Sequence, residues 1–219
     1  MTLNSGYNLY RYNLTEPPIN WSEQYKNPQY QSSRGAKNAI GAYFFYSKKD
    51  TAITVGHKAI TAMERKDQGD RNLYITKAYL ISDVNLLDLS FNEPWPELML
   101  DRLYDNGIDV LTDSFTHLNP EYTLSIIRND YLAVKNARQS GSPLRWDDQR
   151  SINVNSFFNC NSSYLGQCLT DYNNGAIFKN LLTEKGYDGY IFVEEINDPT
   201  ICLFNSDCLS RPETYLYNR

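Results

Sequence analysis

The sequence lacks a long apolar run, a basic excess and a recognisable export signal. No stretch approaches the about 18 consecutive apolar residues that a membrane-spanning helix needs. The first residues have neither a basic start nor an apolar core, so we expect a cytoplasmic protein without a signal peptide. The net charge of −5 argues against a protein that coats nucleic acid through electrostatic attraction alone.

Cysteine and histidine are scarce, and their spacing does not predict a metal site. The cysteines are Cys160, Cys168, Cys202 and Cys208. Their spacings match no usual zinc pattern, and His57 and His117 are the two histidines that could assist them. We therefore expect no metal cofactor and reduced cysteines, with one disulfide between neighbouring segments as the alternative.

The sequence has an ordinary hydrophobic content and is rich in tyrosine. The 219 residues are 41% hydrophobic, which suits one large globular domain with a sizeable core. The 18 tyrosines exceed the nine phenylalanines and three tryptophans. Amphipathic rings suit stacking surfaces and interfaces, although a tyrosine-rich rim around the core explains them more simply.

Hydrophobic periodicity predicts a single domain of mixed α and β structure, with no internal repeat or linker. Strands are predicted over residues 7–13, 42–46, 73–80, 84–89, 189–193 and 201–204, the third and fourth of them around a turn at 82–83. Helices are predicted over residues 50–64, 96–106, 176–185 and from 120 onward. Residues 14–33 and 139–163 read as irregular or surface segments, and a helical excursion spans about 96–170.

Four short segments follow one another in an informative order. They are Leu9-Tyr10-Arg11, Gly41-Ala42-Tyr43-Phe44-Phe45-Tyr46-Ser47, Val84-Asn85-Leu86-Leu87-Asp88-Leu89 and Gly186-Tyr187-Asp188-Gly189-Tyr190-Ile191-Phe192. Together they place an arginine on a short strand, an aromatic strand before a helix, and a glycine-bounded strand near the end. In this order they resemble the ADP-ribosyltransferase superfamily, which includes the poly(ADP-ribose) polymerases, bacterial toxins and the NAD-degrading RES toxins.

The resemblance implies a fold, a substrate and partners. The fold would be an α+β ADP-ribosyltransferase-like domain with a split mixed sheet and peripheral helices. The substrate would be NAD⁺, from which ADP-ribose passes to a protein or nucleic acid with release of nicotinamide, without a metal or a membrane. A toxin of this kind would also have an antitoxin or immunity protein. Two alternatives stay open, an NAD⁺ glycohydrolase of the RES type and a catalytically inactive binding module.

The resemblance assigns roles in NAD⁺ binding to five residues. Arg11 matches the first-strand Arg or His of the family, and a guanidinium offers a fixed fork of donors to phosphate or ribose oxygens. Arg34 resembles the arginine that precedes the aromatic strand in RES toxins. Tyr43 is the first choice for the nicotinamide clamp, with Tyr46 and Phe44 as competitors on the other face of the strand. Ser47 would bind the ribose or cap the following helix.

The carboxylate needed to stabilise the ribosyl cation is where the sequence departs from the family. The polymerase branch has a catalytic Glu at the start of the last strand, where this chain has Thr200. Glu194 and Glu195 are the predicted substitutes, and strand alternation allows only one of them to face the pocket. Asp198 is a third choice. RES toxins have a functional Glu near the position that His57 holds in this sequence, and the His57 imidazole could accept or donate a proton.

The long segment over residues 14–33 bears on the acceptor. A transferase needs a loop beside its pocket that recognises the acceptor, whereas a hydrolase does not. Trp21, Tyr25 and Tyr30 in this segment favour a macromolecular acceptor. The sequence therefore predicts a transferase, with the glycohydrolase and the inactive binding module as alternatives; Thr200 in place of the family's Glu favours the inactive module.

Overall fold

The computed structural model describes residues 1–14, 18–26, 41–64, 72–90, 96–115, 123–160, 172–192 and 198–217. The strands in these ranges are β1 (Thr2–Leu3), β2 (Asn8–Asn13), β3 (Tyr43–Tyr46), β4 (Leu73–Tyr79), β5 (Val84–Leu89), β6 (Gly189–Phe192), β7 (Thr200–Leu203) and β8 (Glu213–Tyr217). The α-helices are α1 (Lys49–Glu64), α2 (Pro96–Asp105), α3 (Leu124–Gln139), α4 (Gln149–Cys160) and α5 (Tyr172–Glu184). A short 3₁₀ helix spans Glu23–Lys26.

The described strands form one mixed sheet in the order β1-β5-β6-β7-β3-β2-β4-β8. Strands β5 and β6 run parallel, and the other neighbouring strands with a described register run antiparallel. The coarse prediction of an α+β chain is confirmed. At the centre of the sheet β7, β3 and β2 lie side by side, which brings together the strands of Thr200, Tyr43 and Arg11.

The two faces of the sheet are covered differently, because side chains alternate along each strand. On the helix face, Phe44 and Cys202 pack toward helices α2 to α5, and Tyr46 packs toward α1. On the opposite face, Tyr43 and Phe45 pack into a second apolar cluster. This cluster includes residues of the segment 18–26, which we call the strap, and we call the face that it covers the strap face.

The predicted strands β4 and β5 are confirmed, but they do not pair with each other. Strand β4 pairs with β2 and β8, whereas β5 pairs with β1 and β6. The short turn at Ser82 and Asp83 thus separates two parts of the sheet and does not close a hairpin. Ile81 in this turn donates its backbone N–H to the carbonyl oxygen of Cys208, 2.8 Å away, so a later segment stabilises it.

Three predictions of local structure need correction. The surface excursion over 139–163 is wrong in part, because α4 occupies Gln149–Cys160 and buries Val154 and Phe157 against the helical core. Their spacing of three residues is helical, but the polar residues around them obscured it. Helix α5 begins at Tyr172 and not after Gly175, which lies within it. The edge strands β1 and β8 were not predicted.

The other predicted helices agree with the structure where it describes them. Helix α1 begins at Lys49, next to the predicted start. Helix α2 is confirmed, and Gly107 beyond its end has the positive φ of 72° that a left-handed cap requires. Helix α3 is described from Leu124. The start that the sequence predicts for it near residue 120 lies outside the described residues.

Candidate functional site

The central strand β2 carries an arginine that is wholly buried. Arg11 is 0% exposed and lies on the strap face, opposite the helices. Its Nη2 donates a hydrogen bond to the carbonyl oxygen of Tyr25 at 3.0 Å. Its Nε and Nη1 have no hydrogen-bond partner. Since most buried polar groups in proteins are hydrogen-bonded, two orphan donors on one side chain require an explanation.

Aromatic rings surround the Arg11 guanidinium. Its central carbon lies 6.0 Å from the ring centroid of Trp21 and 5.9 Å from that of Phe45. The Trp21 ring in turn meets Tyr43 edge-on at 5.8 Å and Phe45 at 5.5 Å. Cation–π attraction to such rings offsets part of the cost of removing the charge from water. It leaves the N–H donors in the guanidinium plane available to an anion.

The charge of Arg11 is not balanced by a nearby carboxylate among the described residues. Burial lowers the pKa of Arg11 to about 10, and the charge effects that oppose this come from the tyrosines at 12, 43, 25 and 46. A guanidinium with this pKa is still charged at neutral pH. A buried cation without a counter-ion is unfavourable for folding, so its presence favours a role in binding an anion.

Tyr43, the predicted clamp, lies on the same face as Arg11. Its side chain is 1% exposed. Burial raises the pKa of the Tyr43 hydroxyl, and a hydrogen bond with Ser206 acts to lower it. The ammonium group of Lys26 sits 5.1 Å from the Tyr43 ring centroid and forms an ion pair with Glu23 at 2.7 Å. The structure thus brings the predicted anchor and the predicted clamp to one face of the central strands.

Other predicted site residues lie at the far end of β3. Tyr46 faces α1, and Thr200 pairs with it in the sheet register, so both lie on the helix face, opposite Arg11. Ser47 donates its hydroxyl to Oδ1 of Asp198 at 2.5 Å. The second carboxylate oxygen of Asp198 and the hydroxyl of Thr200 are buried without a hydrogen-bond partner. Of the predicted acidic groups, Asp198 is therefore a buried carboxylate with one oxygen still available.

Several predicted residues cannot be placed. Arg34, Glu194, Glu195 and His117 lie outside the described residues. His57 lies in α1, where its ring meets the ring of Tyr217 edge-on at 5.7 Å, a contact that joins the helix to the edge strand. This packing contact gives His57 a structural role.

The glycine motif that contributes to the resemblance has a local structural basis. Gly186 follows α5 with a φ of 78°, which ends the helix in a left-handed cap. Gly189 begins β6, and a Cβ there would lie 1.8 Å from the backbone oxygen of Cys202. Asp188 between them accepts a hydrogen bond from the backbone N–H of Asn85 at 2.8 Å. The motif therefore sets the close approach of β6 to β7 and contributes no group to the site.

Sequence reasoning missed the strap as the cover of the site. Trp21 and Tyr25 were predicted to recognise an acceptor, but both pack against the strap face beside Arg11. The indole Nε1 of Trp21 donates to the carbonyl oxygen of Ser210 at 2.7 Å, which holds the strap against a late segment of the chain. The sequence separation of 189 residues explains why no local pattern indicated this contact.

The described residues contain neither a candidate metal site nor a candidate membrane span. In the part of the chain that the structure describes, no group of three or more His, Cys, Asp or Glu side chains could hold a metal. No helix in the same ranges is long and apolar enough to cross a bilayer. Cys208 is a free thiol whose pKa burial raises to about 11, so it is a poor nucleophile. Comparison of the chain with protein-family models, curated proteins and solved structures found no match.

Proposed function

We propose that this protein binds NAD⁺ and cleaves it, transferring ADP-ribose to a macromolecular acceptor with release of nicotinamide. The observation that carries the proposal is the buried guanidinium of Arg11, with two unpaired donors and no described counter-ion. The diphosphate of NAD⁺ offers paired oxyanions that match a planar fork of N–H groups. The proposal includes an ADP-ribosyltransferase-like fold, which the adjacency of β2, β3 and β7 supports.

The rings beside Arg11 supply the second requirement. Breaking the bond between nicotinamide and ribose builds positive charge on the sugar, and the leaving ring must be held at a fixed angle. Tyr43, Phe45 and Trp21 present flat apolar surfaces next to the anchor. A carboxylate must then stabilise the cation. Glu194 and Glu195 remain predictions for this role, and Asp198 is the described alternative.

Binding at Arg11 requires the strap to move. The guanidinium is covered, and one of its donors already holds the carbonyl of Tyr25. A phosphate oxygen carries more negative charge than a carbonyl oxygen, so the incoming ligand competes well for this donor. Displacement of Tyr25 and Trp21 would open the aromatic surface in the same step.

A glycohydrolase is the second candidate, and the packing of the strap favours it. Two of the three rings that suggested an acceptor surface are used to cover Arg11. Tyr30, the third ring, lies outside the described residues. With neither of the two described rings left to bind a macromolecule, water is favoured as the acceptor. Either activity would suit a toxin neutralised by a dedicated partner protein.

The test is nicotinamide release from NAD⁺ labelled in its adenine moiety, with and without a cell lysate as the source of acceptor. We expect release, with the label attached to protein or nucleic acid in the presence of lysate. Release with all label recovered as free ADP-ribose would establish the glycohydrolase. No release under either condition, with ADP-ribose still bound, would replace both with an inactive binding module.

A further inference from the structure

A second buried polar side chain with an unpaired atom lies next to Arg11 on β2. Asn13 is 0% exposed, and its Oδ1 has no hydrogen-bond partner. It follows Arg11 by two residues, so both side chains lie on the strap face, with their Cα atoms about 7 Å apart along the strand. A buried amide oxygen without a donor is unfavourable for folding. The strap face therefore has unpaired groups of both kinds, donors on Arg11 and an acceptor on Asn13.

Thr76 of β4 connects these two residues. It is the cross-strand partner of Arg11, and its Oγ1 accepts a hydrogen bond from Nδ2 of Asn13 at 3.0 Å. Thr76 is itself 0% exposed, and its Oγ1 shares a second hydrogen bond with Oγ1 of Thr214 in β8 at 2.9 Å. These bonds hold the Asn13 amide by its nitrogen and leave its oxygen available. We call Arg11, Asn13, Thr76 and Thr214 the polar row.

The unpaired atoms of the polar row require two kinds of group in a ligand. Nε and Nη1 of Arg11 donate, so they require an acceptor such as an oxyanion. Oδ1 of Asn13 only accepts, so it requires an O–H or N–H donor. An inorganic anion would pair with Arg11 and leave Asn13 unpaired. A sugar phosphate carries an oxyanion and hydroxyl groups in one molecule, at a separation comparable to that of neighbouring residues on one face of a strand.

We infer that Asn13 accepts a hydrogen bond from a hydroxyl of the ribose whose phosphate binds Arg11. This inference rests on the proposed function, because it takes the ligand of Arg11 to be a nucleotide, and it adds a contact that selects ribose. Thr76 acts on the ligand only through Asn13, so it is a positioning residue. Asn13 is as deeply buried as Arg11, so the ligand contacts it only after the strap face is uncovered.

The test compares the binding of ADP and of 2′,3′-dideoxy-ADP to the full chain by calorimetric titration. ADP has a single ribose, and the two ligands differ only in the hydroxyls of that ribose. The wild type should bind ADP about tenfold more tightly, because the dideoxy ligand leaves Oδ1 of Asn13 buried and unpaired. Equal affinities, or no binding of ADP at all, would overturn the inference.

Two matched variants assign the preference to one side chain. Asn13→Leu keeps the approximate size of the side chain and removes both polar ends of the amide. Its affinities for the two ligands should differ less than about twofold. Asn8→Leu is the control, since Asn8 is an exposed residue of the same strand on the opposite face, and it should keep the tenfold preference. A preference that survives in Asn13→Leu, or disappears in Asn8→Leu, would overturn the contact.

Thr76→Val tests the polar row without changing a group that contacts the ligand, and it serves if Asn13→Leu does not fold. The substitution removes the hydroxyl that holds the Asn13 amide. The preference for ADP should fall from about tenfold to about threefold, because the amide is no longer held in one orientation. Affinity for inorganic pyrophosphate, which has no sugar, should not change. An unchanged preference for ADP would overturn the role of the polar row.

Nicotinamide release from NAD⁺ separates this inference from the proposed function. A wild type that releases nicotinamide but binds ADP and dideoxy-ADP equally would keep the proposed function and overturn the ribose contact. A wild type that prefers ADP about tenfold but releases no nicotinamide would support the contact and overturn the proposed cleavage.

Discussion

The buried cations Lys135 and Arg11 have opposite surroundings: carboxylates surround the first, and uncharged groups surround the second. The Lys135 side chain in α3 is 5% exposed, and its Nζ contacts Asp105 at 2.5 Å and Asp101 at 3.8 Å. Asp101 also accepts hydrogen bonds from Tyr131 and Arg138. Arg11 is more deeply buried, yet it donates its hydrogen bond to the neutral carbonyl of Tyr25.

Under the proposed function, the difference distinguishes a structural charge from one that binds a ligand. The network around Lys135 joins α2 to α3, and its carboxylates balance its cations. Such a cluster fixes the relative position of two helices. Arg11 joins the strap to β2 through a hydrogen bond to the neutral Tyr25 carbonyl and a contact with the Trp21 ring, and neither partner carries a negative charge, so the Arg11 charge weakens the folded state unless an anion binds. The cost of burying Arg11 is therefore evidence for function.

The largest expected effect comes from Arg11→Met, which keeps the length and packing of the side chain and removes its charge. Nicotinamide release should fall by at least about 100-fold in kcat/KM, the loss typical of a removed positioning group. The free energy of unfolding should stay the same or rise by about 1 kcal/mol, because an unpaired buried charge is gone. Enzyme kinetics and chemical denaturation measure the two quantities.

The combination of results matters more than either one alone. Lost activity together with lost stability would mean that Arg11 is structural, like Lys135. Retained activity in a folded variant would remove the anchor from the proposed function. ADP-ribose should raise the melting temperature of the wild type but not that of Arg11→Met, which gives a binding readout independent of turnover.

Lys135→Met should give the reverse result. It leaves Asp105 and Asp101 without this cation, and we expect the free energy of unfolding to fall by about 2 kcal/mol. The value is below that for a fully buried pair because the Asp105 side chain is 58% exposed. Nicotinamide release by the folded fraction should not change. A variant as stable as the wild type would show that this network does not hold α2 against α3.

The sequence predicted the elements of this fold better than their partners. Local patterns located the central strands and most helices, because alternation and helical spacing reflect burial along one element. They could not show that β4 and β5 separate, since pairing depends on residues distant in sequence. They also could not show that Trp21 covers Arg11, because Trp21 is held there by a hydrogen bond to Ser210, which lies 189 residues away in sequence. Arg11 and Tyr43 were predicted as anchor and clamp from the resemblance, but no local pattern could show that both lie on the strap face, because that depends on how β2 pairs with β3.

The strap can be loosened without touching Arg11. Trp21→Phe keeps an aromatic ring beside the guanidinium and removes the hydrogen bond to the Ser210 carbonyl. We expect the free energy of unfolding to fall by about 1 kcal/mol. Affinity for ADP-ribose should rise a few-fold, because less energy is needed to displace the strap. Lower affinity than in the wild type would mean that Trp21 binds the ligand directly and is not only a cover.

The smallest expected effect is the change of stability with pH that follows from the low pKa of Arg11. This change is a direct measure of the unpaired charge of Arg11. Burial lowers the pKa of Arg11 to about 10 in the folded protein from its ordinary value of 12.5, so the unfolded chain binds this proton more tightly. The unfavourable contribution of Arg11 is complete below the folded pKa and is relieved as the pH rises between those two values. Relative to Arg11→Met, the wild type should therefore gain up to about 1 kcal/mol of stability between about pH 8 and about pH 11. Ionisation of tyrosines that do not interact with Arg11 affects both proteins alike and cancels in the comparison, whereas the charges of Tyr12, Tyr43, Tyr25 and Tyr46 act on Arg11 and do not cancel. A difference that stays constant over this range would mean that an anion, or a carboxylate in the rest of the chain, already balances the Arg11 charge.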